Sequence, residues 1–478
     1  MKIKIKKPLA LLLLSILIVL FSLNIGMFWD NVLFASKMGN PLFENGILRW
    51  DLLPLDSDPG HPPFLATILA FGWTLFGKSL AVSHWMMLPF IFGLLWQIAF
   101  FVRFFVKEKS LQIWAFLLVV ADPTLLSQLV LVNPEIIQLF FFFLALNGVL
   151  KNNLYLKIVG LAFLGIVSYR GMMLCFGIFL IDFLIHLFVN KRNIKSFFTK
   201  RNIIVYILAA TPAIIYLSWR LLTKGWISSH PEENWGNAWH FETTYDFIKN
   251  LLRNALVLIH RFLDFGRIVP FLFIVFTVYI KRKSIRWKKI VPIIIIVFFS
   301  TIVIYTTSLL INNAMGHRYY IPSFLALALL SFLLLKHYKF KKLLYLGLLG
   351  SLLLGNFIIY PDNISQGWDA SLAHIPYWNL REDAIDYMDA NQIPIPKSAS
   401  FFPNRTTIDD IDLNGDMRSF IEFTGEEEFV FYSNVYNISD EDLDALTREY
   451  QKLKSFEKFN VRIDIMHKKK VNNHEFEN

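Results

Sequence analysis

The stretch KIKIKKPLALLLLSILIVLFSLNIGMFWD, residues 2–30, holds four lysines before Pro8, an apolar run over 8–28 and an aspartate at its far end. A helix needs about 20 apolar residues to cross the hydrocarbon of a bilayer, and 8–28 is long enough. A cleaved leader would end on small residues. Ile25-Gly26-Met27-Phe28-Trp29 does not follow that pattern, so the run reads as a retained first span. Lysines on its near side place the N-terminus in the cytoplasm. Asp30 then stands at the outer face.

The same alternation repeats along the 478 residues. Hydrophobic residues make up 55 % of the chain and charged residues 18 %, against about 25 % charged in a soluble domain. An ordinary soluble enzyme is therefore excluded. A single cysteine, Cys175, excludes a disulfide framework and a Cys-rich metal site. The apolar runs predict about eleven spans: 8–28, 80–105, 110–127, 134–150, 154–169, 171–189, 202–219, 267–280, 290–311, 319–335 and 342–360. The net charge of +10 is the sum of unlike parts. Residues 1–361 carry 35 bases and 14 acids, and residues 362–478 carry 12 bases and 23 acids. Of those 35 bases, 24 fall in short clusters at alternate ends of apolar runs, as in Lys191–Arg201 and Lys281–Lys289. That is the positive-inside pattern, and it argues against nucleic acid as a partner. All the acids of the first part but Glu108 and Asp182 then fall outside or at the outer edge. Asp182 lies one helical turn before His186, a spacing that predicts a polar pair between helices.

The chain is thus expected to be an α-helical polytopic membrane protein, with a membrane domain over 1–361 and a small C-terminal α/β extracytoplasmic domain over 362–478. Two long outer loops, 29–79 and 220–266, interrupt the spans. The first contains an apolar stretch, Pro62 to Phe76, that predicts an interfacial or re-entrant helix. The second contains Phe247, Leu251, Ala255, Leu258 and Phe262 at helical spacing, with Asp246, Lys249, Asn250, Arg253 and Asn254 between them. It predicts an amphipathic helix lying on the membrane. Trp226, Trp235 and Trp239 read as an aromatic belt or as a platform for sugar rings. In the C-terminal domain, Ser398–Phe402, Glu428–Tyr432 and Asn460–Met466 predict strands. Arg381–Asp389 and Asp440–Tyr450 predict helices, the second capped by Ser439.

Polar groups gather at the outer face. Asp30, Glu44, Arg49, Asp51, Asp56, Asp58 and His61 lie in the first loop. Asp122 and Glu135 flank the turn between the third and fourth spans, Arg170 lies between the fifth and sixth, and His317 and Arg318 precede the tenth. Taken singly, each also reads as loop solvation or as a cation reaching for lipid headgroups. Ionisable groups beside hydrocarbon are costly and often functional. Their convergence on one face predicts chemistry on a substrate that is part lipid and part anion.

At this point the sequence resembles the glycosyltransferase C superfamily. Its nearest branch looks like the group of protein O-mannosyltransferases and lipid A aminoarabinose transferases. The features that carry the resemblance are Asp30 opening a long loop, then Gly60-His61-Pro62-Pro63-Phe64, Leu75-Phe76-Gly77, Asn133-Pro134-Glu135 before the run Phe140 to Phe143, and Arg318-Tyr319-Tyr320-Ile321-Pro322. They span about residues 8–340. Three features depart from the family pattern. Asp30 is followed by Asn31 where many relatives have a second acid, Glu135 stands where many have Asp, and His61 replaces the usual lysine. These departures bear on metal dependence and on the donor.

The resemblance implies a GT-C type glycosyltransferase of the bacterial inner membrane, with a cytoplasmic N-terminus and a periplasmic C-terminal domain. Asn-x-Ser/Thr sequences at Asn363, Asn404 and Asn437 would also suit an endoplasmic reticulum lumen. Such an enzyme moves a sugar from a polyprenyl phosphate to a hydroxyl on a lipid, glycan or protein acceptor. Asp30 would act as general base, and Glu135 and Asp58 would orient the acceptor or hold a divalent cation. His61, Arg170, His317, Arg318 and Tyr319 would bind the substrate and its leaving phosphate. No cofactor is required by the residues themselves. A transporter or flippase of lipid-linked glycans would share many of these features. A membrane anchor whose soluble domain carries the activity is a third reading.

Overall fold

The computed structural model describes residues 7–228, 241–309 and 315–469. Trp235 and Trp239 lie outside the described residues. Among the described residues of the first 361 there are fifteen α-helices: α1 (Lys7–Ser22), α2 (Met38–Asn45), α3 (Phe64–Phe76), α4 (Leu80–Phe105), α5 (Lys109–Val120), α6 (Pro123–Leu129), α7 (Pro134–Lys151), α8 (Leu154–Val167), α9 (Tyr169–Leu184), α10 (Lys200–Lys224), α11 (Thr244–Leu263), α12 (Ile268–Lys281), α13 (Trp287–Ser308), α14 (Ile321–Leu334) and α15 (Lys341–Leu354). Each apolar run read from the sequence contains a helix, but the first ends at Ser22, six residues short of Phe28, and the helices differ in reach. Among the described residues six helices are long and apolar enough to cross a membrane, or up to eight if each bent pair is one span. The run 110–127 breaks at Ala121-Asp122, where α5 and α6 meet at 79°, and α11 meets α12 at 91°. The first break has a local cause. Asp122 accepts from the N–H groups of Thr124 and Leu125, and Pro123 opens α6, so the chain is capped anew instead of continuing. At 14 residues, α8, α12 and α15 reach about 21 Å, short of a hydrocarbon core of about 30 Å.

The interior of the bundle depends on close approach. A Cβ at Gly160 of α8 would lie 2.4 Å from the amide nitrogen of Ala145 in α7, and one at Gly148 would lie 2.5 Å from that of Lys157. Small residues let two backbones touch where lipid supplies no hydrophobic drive between helices. Beside that contact, Lys157 of α8 pairs with Asp182 of α9 at 2.7 Å, and Asp182 accepts from the Tyr206 hydroxyl at 2.6 Å. The expected pairing with His186 is not what forms. The His186 ring faces Ser196 at 2.8 Å, because a buried carboxylate takes the cation that can be buried with it.

The apolar stretch after Pro63 is helical, as α3. The amphipathic helix is α11, capped by Thr243, but its faces differ from the expected ones. Asn250 and Asn254 point inward and donate to the carbonyls of Leu309 and Ser308, at the open end of α13. Ile248, Leu252, Leu256 and Ile259 are exposed. Unpaired carbonyls at a helix end need donors, and the two asparagines supply them, leaving the apolar stripe 248/252/256/259 for lipid.

After α15 the chain passes through short turns, including Trp368–Ala370, into a domain with α16 (Pro376–Ala390), α17 (Ile408–Asp412), α18 (Asp440–Glu449) and five strands. The strands are β1 (Ser398–Ser400), β2 (Ile421–Glu422), β3 (Phe429–Ser433), β4 (Tyr450–Lys458) and β5 (Val461–Lys468), in the order β2-β1-β3-β5-β4. β1 is parallel to both its neighbours, and β5 is antiparallel to β3 and β4. This domain rests on the end of the first run and on the first long loop. Lys78 pairs with Asp409 at 2.5 Å, the Met27 N–H donates to the Ile411 carbonyl at 2.9 Å, and Phe28 stacks on His374 at 4.9 Å.

Replacing Gly160 by Leu should wedge α7 from α8 and cost about 1–3 kcal/mol or more. Thermal unfolding of the detergent-extracted protein reads this as a lowered midpoint. An unchanged midpoint would contradict the close approach.

Candidate active site

Arg318 lies at the start of the last long span, in the turn His317–Tyr320 that opens α14. Its side chain is 6 % exposed, and three carboxylates surround it. Nη2 donates to Asp30, and Nη1 donates to Asp369 at 2.6 Å. Nε lies 3.2 Å from Glu135 Oε1. Arg170 faces the same Glu135 oxygen at 3.7 Å, donates to the Tyr319 hydroxyl at 2.6 Å and stacks 3.5 Å from the centre of the Tyr319 ring. Five of the eight residues expected at the site, Asp30, Glu135, Arg170, Arg318 and Tyr319, therefore form one cluster.

Each is held by a local device. Asp30 follows Trp29, which adopts a positive φ of 53° and ends the first run. Glu135 occupies the first turn of α7, behind Asn133, whose side chain caps the Ile136 N–H at 2.9 Å. A carboxylate at that position is also favoured by the helix dipole. Arg170 follows Ser168, whose hydroxyl caps α9 at the Gly171 N–H.

The cluster borders a small cleft lined by Phe34, His61, Pro62, Leu65, Glu135 and Arg170, among others. His61 is partly buried there, and Tyr169 donates its N–H toward Nδ1 at 3.4 Å. Burial, with Arg170 and then Arg220 nearby, pushes its pKa down to about 3. His61 is thus a neutral imidazole near pH 7. It accepts at Nδ1, which leaves Nε2–H as a donor, and it is not a reservoir of an acidic proton.

Asp58 and His317 lie apart from the cluster. Asp58 is buried, pairs with Arg220 at 2.9 Å and accepts the Gly60 N–H at 3.0 Å, which fixes the turn before His61. His317 faces Asp264 at 2.9 Å. Glu135 and Asp58, the acids nominated for a divalent cation, each face arginine. Among the described residues no set of three metal-ligating side chains includes either one.

Reading the sequence missed four participants. Asp369 contributes a carboxylate from the C-terminal side. Gln128 donates to its carbonyl at 2.8 Å, and Thr124 donates to that of Ala370 at 3.0 Å. Arg267 grips Asp122 through two 2.8 Å bonds. Arg220 holds Asp58, and Asp264 holds His317. The available signal was weak: an acid between Trp368 and Ala370, and single arginines at Arg220 and Arg267 beside apolar runs.

No protein-family model and no curated protein matches the sequence. Two solved structures share the fold along nearly the whole chain. ArnT from Cupriavidus metallidurans bound to undecaprenyl phosphate superposes with a TM-score of 0.51 at 11 % identity, over 96 % of this chain and 97 % of that one. The apo state of the same protein gives 0.50 at 10 % identity, over the same shares. The chain therefore has the ArnT-like GT-C fold, the fold that the sequence resemblance implied, with its membrane helices and small C-terminal sheet domain.

Two outcomes follow from this geometry. Arg318→Gln should destabilise the protein more than Asp369→Asn, because it leaves three acids facing one another. Unfolding midpoints in detergent read the order, and a reversed order would contradict the cluster. Because His61 is neutral well below pH 6.5, its protonation adds no inflection to activity between pH 5.5 and 8. An inflection near 6.5 that His61→Asn abolishes would contradict its placement.

Proposed function

We propose that the protein is a membrane glycosyltransferase that moves a sugar from a polyprenyl phosphate to an acceptor hydroxyl on the extracytoplasmic side. The observation that carries this reading is the asymmetry of the three acids around Arg318. Asp30 is 28 % exposed, against 7 % for Glu135 and 11 % for Asp369. Arg318 engages one oxygen of Asp30, and no described residue bonds the other. A carboxylate oriented by a fixed cation, with one oxygen open, is suited to take a proton from an attacking hydroxyl. The fold supports the reading, since the ArnT structure that shares it holds undecaprenyl phosphate.

The two arginines divide the work. Arg318 spends its donors on carboxylates. Arg170 is 23 % exposed, and its 3.7 Å approach to Glu135 is longer than a hydrogen bond. It retains the capacity to meet phosphate oxygens at the cleft, where charge develops as the sugar leaves. His61 Nε2–H is placed to donate to the same group as a neutral partner. Glu135 and Tyr319 hold Arg170 in position, and Asp58 acts through the turn before His61. Four exposed residues of α11, Ile248, Leu252, Leu256 and Ile259, present an apolar face suited to the hydrocarbon of a lipid-borne donor. The positive-inside pattern supports a cytoplasmic N-terminus and an outer face for the cluster.

A transporter of lipid-linked glycans would line a path through the bundle with polar groups. The charged group at the opposite ends of α8–α10, Asp182, is neutralised by Lys157. The remaining site charges collect at one end, which favours chemistry there.

Replacing Asp30 by Asn should lower sugar transfer by about 10²–10⁴-fold while the protein still inserts and folds. Transfer assayed with purified variant and labelled lipid donor decides the point, and wild-type rates would remove Asp30 from the role of base.

A further inference from the structure

The end of α11 carries a group that the transfer reaction does not use. His260, Asp264 and His317 converge so that one ligand atom from each lies within 4.8 Å of the others. Asp264 Oδ2 stands 2.9 Å from His317 Nε2 and 3.8 Å from His260 Nδ1. The other oxygen of Asp264 is already committed, accepting from the Phe265 N–H at 2.7 Å and from the Tyr360 hydroxyl. The carboxylate is thereby aimed, with Oδ2 turned toward two imidazoles. The far side of His317 is closed, because a Cβ at residue 367 would come within 3.0 Å of Nδ1. Nε2 is the nitrogen left to bind.

We propose that His260, Asp264 and His317 bind a divalent transition-metal ion of the zinc class. Nitrogens and oxygens about 2.0–2.1 Å from a tetrahedral ion stand about 3.3 Å apart. The observed 2.9 and 3.8 Å to Asp264 lie on either side of that spacing, the three ligand atoms spread to within 4.8 Å, and the exposed His260 ring is the one that turns to close the set. Two imidazoles and one carboxylate suit zinc, cobalt or nickel, and offer little to magnesium or calcium, which take oxygen sets. The Tyr360 hydroxyl and Phe265 N–H form the outer shell that orients a ligating carboxylate. Of the two neighbouring guanidinium groups, Arg267 is held by Asp122. Arg261 Nε donates to the Met315 carbonyl at 2.8 Å, and its Nη1 lies 3.4 Å from His260 Nδ1, a contact that gives way when that nitrogen takes the ion. With three protein ligands the ion keeps a position open on the His260 side, which is exposed. Occupancy ties the end of α11 to the turn that carries Arg318, the residue after His317.

The site does not depend on the proposed transfer reaction, and its test needs no turnover. The full chain, purified in detergent without a histidine tag and stripped with chelator, is titrated with Co²⁺ by visible absorption and with Zn²⁺ by calorimetry. One equivalent of Zn²⁺ should bind, displace Co²⁺ and resist competition by excess Mg²⁺. His260→Ala, at an exposed position that spares the fold, should weaken Zn²⁺ binding at least about tenfold. His260→Cys, which restores a zinc ligand, should recover it. Absence of Zn²⁺ uptake by the wild type, or unaltered affinity in His260→Ala, would overturn the site.

Discussion

A guanidinium taken out of water must be met by compensating charge, or the fold that buries it does not form. Arg318 is buried at the mouth of the helix bundle and is met three times. Asp30 comes from the loop after the first helix, Glu135 from the first turn of α7, and Asp369 from the segment beyond α15. One cation thus fixes the relative placement of three distant stretches of chain. The cluster as a whole holds three acids against Arg318 and Arg170. An anion is attracted there where a cation has capacity to spare. That place is Arg170, beside the cleft and next to a neutral His61.

Much of this was legible in the sequence, for physical reasons. Lysine and arginine clusters between apolar runs separate the two ends of the helices, and each apolar run contains a helix. Asp30, Glu135, Arg170 and Arg318 stand out because ionisable groups are costly beside hydrocarbon, Tyr319 enters through the family resemblance, and the five meet in one cluster. What the sequence concealed was pairing. Arg220 and Arg267 carry no local sign in the sequence that each closes on a carboxylate more than a hundred residues away. Asp369 looked like part of an outer appendage, because its partners Arg318 and Gln128 belong to the bundle. Asn250 and Asn254 read as a solvated face, because the open carbonyls of α13 that need them are set by tertiary structure. In the C-terminal domain β4 escaped notice. Its exposed, lysine-bearing residues mark a sheet edge and lack the alternation that betrays an inner strand.

The ionic pairs around the cluster give it rigidity. Asp122 and Arg267 join the start of α6 to the turn before α12, while Gln128 and Thr124 on α6 hold the backbone of Asp369 and Ala370. Asp58 and Arg220 lock the first loop to the end of α10. The C-terminal sheet domain closes over the same loop through Lys78 and Asp409. The residues proposed for the reaction stand on helix ends and capped turns held from several sides, which keeps their geometry fixed while the cleft remains open.

The central claim is that this end of the bundle transfers a sugar from a lipid phosphate. The most direct test incubates the purified protein with a panel of radiolabelled polyprenyl-phosphate sugars and membrane acceptors. The account predicts that label leaves one lipid donor, appears on an acceptor and releases polyprenyl phosphate. Absence of transfer from every donor, with the same protein carrying lipid-linked sugar across vesicle membranes, would contradict it.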